Sequence, residues 1–225
     1  MGERINLNTA GTHCIGAYLA KPAGKPKGGI VVVQEIFGVT PHIRSVADGF
    51  AKAGYTAIAP AFFDFVENDV ELDYDKAGME RGKDLAMEVG LDRAVEAVAS
   101  AADSIKSSGK TGVVGYCWGG TVALLSAQRL GLPAASYYGA RNVAYLGQPL
   151  EAPVIFHFGA NDRSITAEAI DKHRKAWPDA PVYVYEHCGH AFNRDADKNV
   201  YNKSAADLAL ARTLAFFGKE LADQP

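Results

Sequence analysis

An apolar run at residues 111–116 (TGVVGY) ends on Cys117, and a helix-like stretch at 119–131 (GGTVALLSAQRLG) begins almost at once. Gly115, Gly119 and Gly120 crowd the cysteine. A strand that turns into a helix within about two residues is the first half of a crossover unit, so it calls for a parallel sheet with helices packed against it. Residues 30–34 (IVVVQ) agree, because an unbroken β-branched run marks a strand buried on both faces.

The rest of the chain keeps the same rhythm. Residues 5–7 can pair with 12–20 as a hairpin, and 21–29 (KPAGKPKGG) read as a surface loop. A helix is expected at 41–53, ended by Gly54, and a strand at 55–60. Residues 61–75 are acidic and aromatic without a period, an irregular excursion. Helical pattern runs from 76 to 107 with a break near Gly90. Strands at 134–139, 152–159 and 180–186 follow, with helices at 166–177 and 203–221. Alternation of this kind predicts one α/β domain over residues 1–225, a mostly parallel central sheet with helices on both faces.

Composition narrows the class. The chain has 225 residues, 48% hydrophobic and 22% charged, enough for a sizeable core. A net charge of −3 gives no electrostatic reason to expect nucleic acid or an anionic membrane as partner. No early segment has the apolar heart of a signal peptide, and no apolar run nears the roughly 20 residues that span a bilayer. The three cysteines, Cys14, Cys117 and Cys188, are odd in number and include no C-x-x-C pair, so reduced thiols and a cytoplasmic location are expected.

G-Y-C-W-G is the cysteine form of the G-x-S-x-G turn, which lifts a nucleophile clear of the carboxyl edge of a sheet. Glycines let neighbouring backbone approach, and the N-terminus of the following helix favours thiolate over thiol. A buried structural cysteine is the plainer alternative. A phosphate loop fits poorly, since neither Gly-Lys-Ser/Thr nor G-x-G-x-x-G is present. The order of acid and base decides between them. Asp162 follows the apolar run VIFHFG, and His190 follows the run VYVYE, each just beyond a strand. Alone, Asp162 could be a turn former and His190 a surface residue. Together they give the order nucleophile, acid, histidine that this turn requires, with His190 as base and Asp162 as its orienter. Glu35 stands at the end of the 30–34 strand, on the same edge. The loop that follows is the one that supplies a second oxyanion donor, so the N–H groups of Ile36 and Trp118 are assigned that role.

QEIFG (34–38), GYCWGG (115–120), YYG (137–139), GANDR (159–163) and CGHAFNR (188–194) together resemble the dienelactone hydrolase family of α/β-hydrolases, also called carboxymethylenebutenolidases. The resemblance spans nearly the whole chain. It implies a Cys117–His190–Asp162 triad that opens a small lactone or ester, most of all an enol-lactone. It also implies a Glu35 that holds the resting thiol and helps deprotonate it when substrate binds. Two arginines of the family grip the substrate carboxylate. Arg194 matches one of them, and Ala191 replaces a serine next to the histidine. A gapless alignment puts Asp75 and Met79 at the positions of the second arginine and its tyrosine, with Arg81 and Lys83 close by. Arg81 is carried forward as the second candidate, against the alternative of a solvated helix face.

Phe37, Trp118 and Phe192 flank these motifs and are candidates for substrate contact. EHCGH (186–190) lacks the second ligand cluster a zinc site would need, so no metal and no cofactor are expected. His13, His42, His157 and His173 have no evident partners in the sequence. A monomer acting on a small ester or lactone is expected. The alternatives are a carboxylesterase or thioesterase of the same family, a non-catalytic binding protein, and a redox protein that uses Cys117 and Cys188.

Overall fold

The computed structural model describes residues 2–9 and 13–222. The chain forms two compact units. The first extends to Val113 and takes in Leu221, and the second spans Val114–Glu220.

In the first unit, strands β1 (Glu3–Asn8), β2 (Cys14–Ala20), β3 (Gly29–Val33) and β4 (Thr56–Pro60) lie in the order β1-β2-β4-β3. β1 and β2 form the expected antiparallel hairpin, and β2 pairs antiparallel with β4. Thr12, the expected first residue of β2, lies outside the described residues. β3 and β4 are parallel, and all ten of their residues are buried. That burial is what an uninterrupted β-branched run is suited to.

Helix α1 (Pro41–Lys52) starts on a proline, whose missing N–H costs nothing there, and buries Ile43, Ala47 and Phe50. Gly54, at φ +101°, ends the turn that follows. The stretch at 61–75 is more structured than its composition suggests. Phe62–Phe65 form a 3₁₀ turn, and Phe62 and Phe63 are core residues. Gly90 separates α2 (Lys76–Val89) from α3 (Leu91–Ser104) at φ +73°, as the helical pattern predicts.

β5 (Thr111–Tyr116) begins in the first unit and ends in the second, which also carries β6 (Ala134–Tyr137), β7 (Val154–Gly159) and β8 (Val182–Tyr185), adjacent in chain order. β6, β7 and β8 pair in parallel. Helix α4 (Trp118–Arg129) is buried from Trp118 to Gln128 and has almost no polar face, so it is a core helix. α5 (Ala167–Ala176) is capped by the Thr166 side chain, which accepts from the Ala169 N–H. α6 (Lys203–Glu220) completes the unit.

The strand at 134–139 proves shorter than expected. β6 stops at Tyr137 because Tyr138 turns to φ +39° and leaves the sheet geometry. His157, which the sequence left without a partner, sits in β7 with no exposed surface and bridges two hydroxyls. Its Nδ1 lies 2.8 Å from Tyr185 Oη and its Nε2 3.1 Å from Thr213 Oγ1. Thr213 Oγ1 also lies 2.7 Å from Tyr137 Oη, so the chain of polar groups is internally satisfied. Burial pushes the His157 imidazole down to about 3, with the nearby Arg212 charge acting the same way. His157 is therefore neutral at working pH.

Between about pH 6.5 and 3 the unfolded chain binds a proton at this residue that the folded chain refuses, so stability falls as pH drops through that window. The limiting slope is about 1.4 kcal/mol per pH unit. Urea midpoints measured from pH 7 to 4 are expected to fall more steeply for the native chain than for His157→Gln, which cannot titrate.

Candidate active site

Cys117 stands between β5 and α4 at φ 56°, ψ −115°, a conformation that side-chain-bearing residues rarely adopt. Several contacts hold it there. Its N–H donates to Tyr137 O at 3.0 Å, and its carbonyl accepts from the Gly120 N–H at 2.9 Å. A Cβ on Gly115 would fall 1.8 Å from Gly119 O, and one on Gly120 would fall 2.5 Å from Tyr137 O. Both glycines are therefore required by close backbone approach. Trp118, the first residue of α4, is buried.

Asp162 lies in the loop after β7, and His190 in the loop after β8. The buried Asp162 carboxylate accepts from the Ser164 N–H through Oδ1 at 2.7 Å. Its Oδ2 lies 2.7 Å from His190 Nδ1. The other side of the imidazole is engaged with Cys117, by a hydrogen bond and by charge. Burial works against a charged imidazole here. The Cys117 charge, the Asp162 hydrogen bond, the Cys117 hydrogen bond and the Asp162 charge outweigh it and raise His190 to about 10. His190 thus carries a proton at neutral pH while it faces the sulfur.

The two loops are joined directly. The Asn161 N–H donates to Cys188 O at 2.8 Å. A Cβ on Gly159 would come within 2.5 Å of both Cys188 O and Gly189 O. The histidine loop itself is tightly bent, with His187 and Ala191 at φ 59° and 60°. Phe192, a candidate for substrate contact, is fully buried and packs on Tyr185, Tyr138 and Tyr137 at centroid distances of 4.9, 5.5 and 6.4 Å. Arg194 is also buried, and its N–H donates to Ala191 O.

The remaining candidates belong to the first unit. Glu35 is buried just past the end of β3. Ile36 and Phe37 follow, both buried, and Phe37 meets the Tyr74 ring edge-on at 4.8 Å. This loop is pinned by glycines. A Cβ on Gly82 of α2 would fall 1.8 Å from Ile36 O, and one on Gly38 1.9 Å from Val70 O. Asp75 caps α2 by accepting from the Gly78 N–H at 2.7 Å. Met79 is exposed, and Arg81 makes an exposed ion pair with Glu67 at 2.5 Å. Among the described residues no group of three or more His, Cys, Asp or Glu side chains could hold a metal ion, and no helix is long and apolar enough to cross a membrane.

The sequence pattern of the dienelactone hydrolase family matches residues 15–221. A carboxymethylenebutenolidase from Pseudomonas putida is 32% identical, covering 99% of each chain. The chain belongs to the dienelactone hydrolase family. Carboxymethylenebutenolidase 1 from Cupriavidus pinatubonensis is 31% identical over 95% of each chain. A solved structure from Klebsiella pneumoniae, assigned as a dienelactone hydrolase, is 27% identical with a TM-score of 0.86 and covers 97% of this chain and 98% of that one. The esterase Pf2001 of Pyrococcus furiosus shares only the fold, at 11% identity and a TM-score of 0.70. The fold is therefore the α/β-hydrolase fold, and this dienelactone hydrolase relative is a hydrolase of ester or lactone bonds.

Tyr138 is the residue near His190 whose position the sequence did not reveal, because nothing in YYG announces a positive φ. The close fit at Gly159 is directly testable. Gly159→Ala is expected to lose about 1–3 kcal/mol of stability in urea denaturation, because its Cβ must push two backbone carbonyls aside.

Proposed function

We propose that the protein opens a small lactone or cleaves a small ester through Cys117, His190 and Asp162, with an enol-lactone of the dienelactone type as first candidate substrate. One observation carries the reading: His190 faces the Cys117 sulfur on one side and sits 2.7 Å from Asp162 on the other. The Cys117 sulfur attacks the carbonyl carbon and forms a tetrahedral oxyanion. The N–H of Trp118, the first residue of α4, receives that charge and contributes about 3 kcal/mol. Collapse breaks the bond to the leaving oxygen and leaves a thiol ester on Cys117. Protonated His190 gives its proton to a leaving alkoxide, whereas an enolate needs little help. Acylation removes the interactions with the Cys117 sulfur that favour protonated His190. The imidazole is then free to take a proton from water, which hydrolyses the thiol ester. Asp162 holds the imidazole in one tautomer throughout. A poor leaving group such as an amine would instead return the thiolate, so esters and lactones are favoured over amides.

A second reading has a specific observation behind it. Arg81 is already paired with Glu67 on an exposed helix face, and Asp75 serves as a helix cap, so the second of the family's two carboxylate-gripping positions is taken up by groups with other tasks. This favours uncharged esters or thioesters as alternative substrates.

Loss of dienelactone ultraviolet absorbance is expected in the presence of the native chain. Cys117→Ala should lower turnover by about four orders of magnitude. An untouched lactone together with rapid hydrolysis of simple aryl esters would select the second reading. The protonation state of His190 gives a further expectation. The acid form is present below about pH 10 and lost above it. Hydrolysis of an alkyl ester should therefore fall as pH rises through about 10, while a 4-nitrophenyl ester, whose leaving group needs no proton, should not follow it.

A further inference from the structure

Tyr138 combines two unusual properties. It is a bulky residue at φ +39°, and it has no exposed surface. A left-handed backbone is a genuine outlier for an aromatic side chain, and strain of that kind persists only where the surroundings over-determine it. The surroundings do so here. The Tyr138 N–H donates to His157 O of β7 at 2.8 Å. The carbonyl of the preceding residue, Tyr137, receives the Cys117 N–H. The ring is set among Phe192 at 5.5 Å and Tyr116 and Tyr137 at 6.2 Å each. The His190 imidazole is a further neighbour, 5.0 Å away and inclined at 59°.

Asp162 and Cys117 engage the two edges of the His190 ring, which leaves the imidazole free to tilt about the line between them. An aromatic surface against the imidazole removes that freedom. The same surface attracts a protonated imidazole more than a neutral one, because the aromatic quadrupole favours a nearby cation. Extended backbone at residue 138 would carry the ring along the strand, so the left-handed turn is what aims it at His190.

We propose that Tyr138 is a positioning residue for His190: its left-handed backbone ends β6 so that its ring packs against the imidazole, limits its rotation and favours its protonated form. This rests on the triad reading above. It assigns no role to the Tyr138 hydroxyl, so the ring alone should suffice.

Three variants test it, each assayed for 4-nitrophenyl acetate and an alkyl ester across pH, with melting curves alongside. Tyr138→Phe keeps the ring and should retain kcat within about twofold. Tyr138→Gly suits the backbone angle but removes the ring. It should lower kcat at least about tenfold with KM little changed, and move the alkaline limb of the alkyl-ester profile down by about half to one pH unit. If Tyr138→Gly does not accumulate as folded protein, Tyr138→Leu fills the space and must show the same two changes. Native kcat and an unmoved limb in a ring-deleted variant would overturn the proposal, whatever happens to the melting temperature. A kcat loss equal in Tyr138→Phe would also overturn it, by placing the effect in the hydroxyl. Cys117→Ala and His190→Ala run in parallel separate the two levels. If they retain turnover, the triad reading itself fails. If they abolish it while ring deletion changes nothing, only the role of Tyr138 fails.

Discussion

The second unit is organised around the conformation of one residue. Cys117 occupies a region of backbone space that would be unfavourable on its own, and it does so because the chain around it is built for that shape. Gly115 admits the Gly119 carbonyl, Gly120 admits the Tyr137 carbonyl, and that same carbonyl accepts the Cys117 N–H. α4 then begins at once and runs through the core with hardly a polar face. An ordinary turn would point the thiol into the protein or lengthen the connection, and neither would bring it to His190. The strain is thus distributed over several close contacts, none of which has room for another methyl group.

Much of this was legible in the sequence, and for identifiable reasons. β3 and β5 were readable because burial on both faces leaves an unbroken apolar run. The Gly90 break between α2 and α3 was readable because glycine at that point interrupts a helical pattern. The approach of Asp162 to His190 followed from each residue standing just beyond a strand of a parallel sheet, where carboxyl ends gather. What stayed hidden depends on contacts far apart in sequence. The bend at Tyr138 carries no local signature, since tyrosine ordinarily avoids that angle. His157 looked partnerless because Thr213 lies on a distant helix. The excursion at 61–75 concealed two core phenylalanines because its acidic residues mask the pattern.

The candidate substrate contacts divide according to what the fold asks of them. Phe192 is consumed by the aromatic cluster that supports the histidine loop, and Phe37 is packed against Tyr74. Arg81 stands in the solvent-facing ion pair that a helix surface commonly offers, where an isolated pair contributes little to stability. Residues near a reactive group in sequence are often there to hold the frame, and their chemistry alone does not reveal which task they serve.

The junction at Gly159 has a consequence for how such a protein can change. The loops bearing Asp162 and His190 interlock through the Asn161 N–H, the Cys188 carbonyl and a glycine without room for a side chain. They form a matched pair of parts. A loop transplanted from a relative would arrive cut to fit a different companion, so exchange by recombination should succeed only when both travel together.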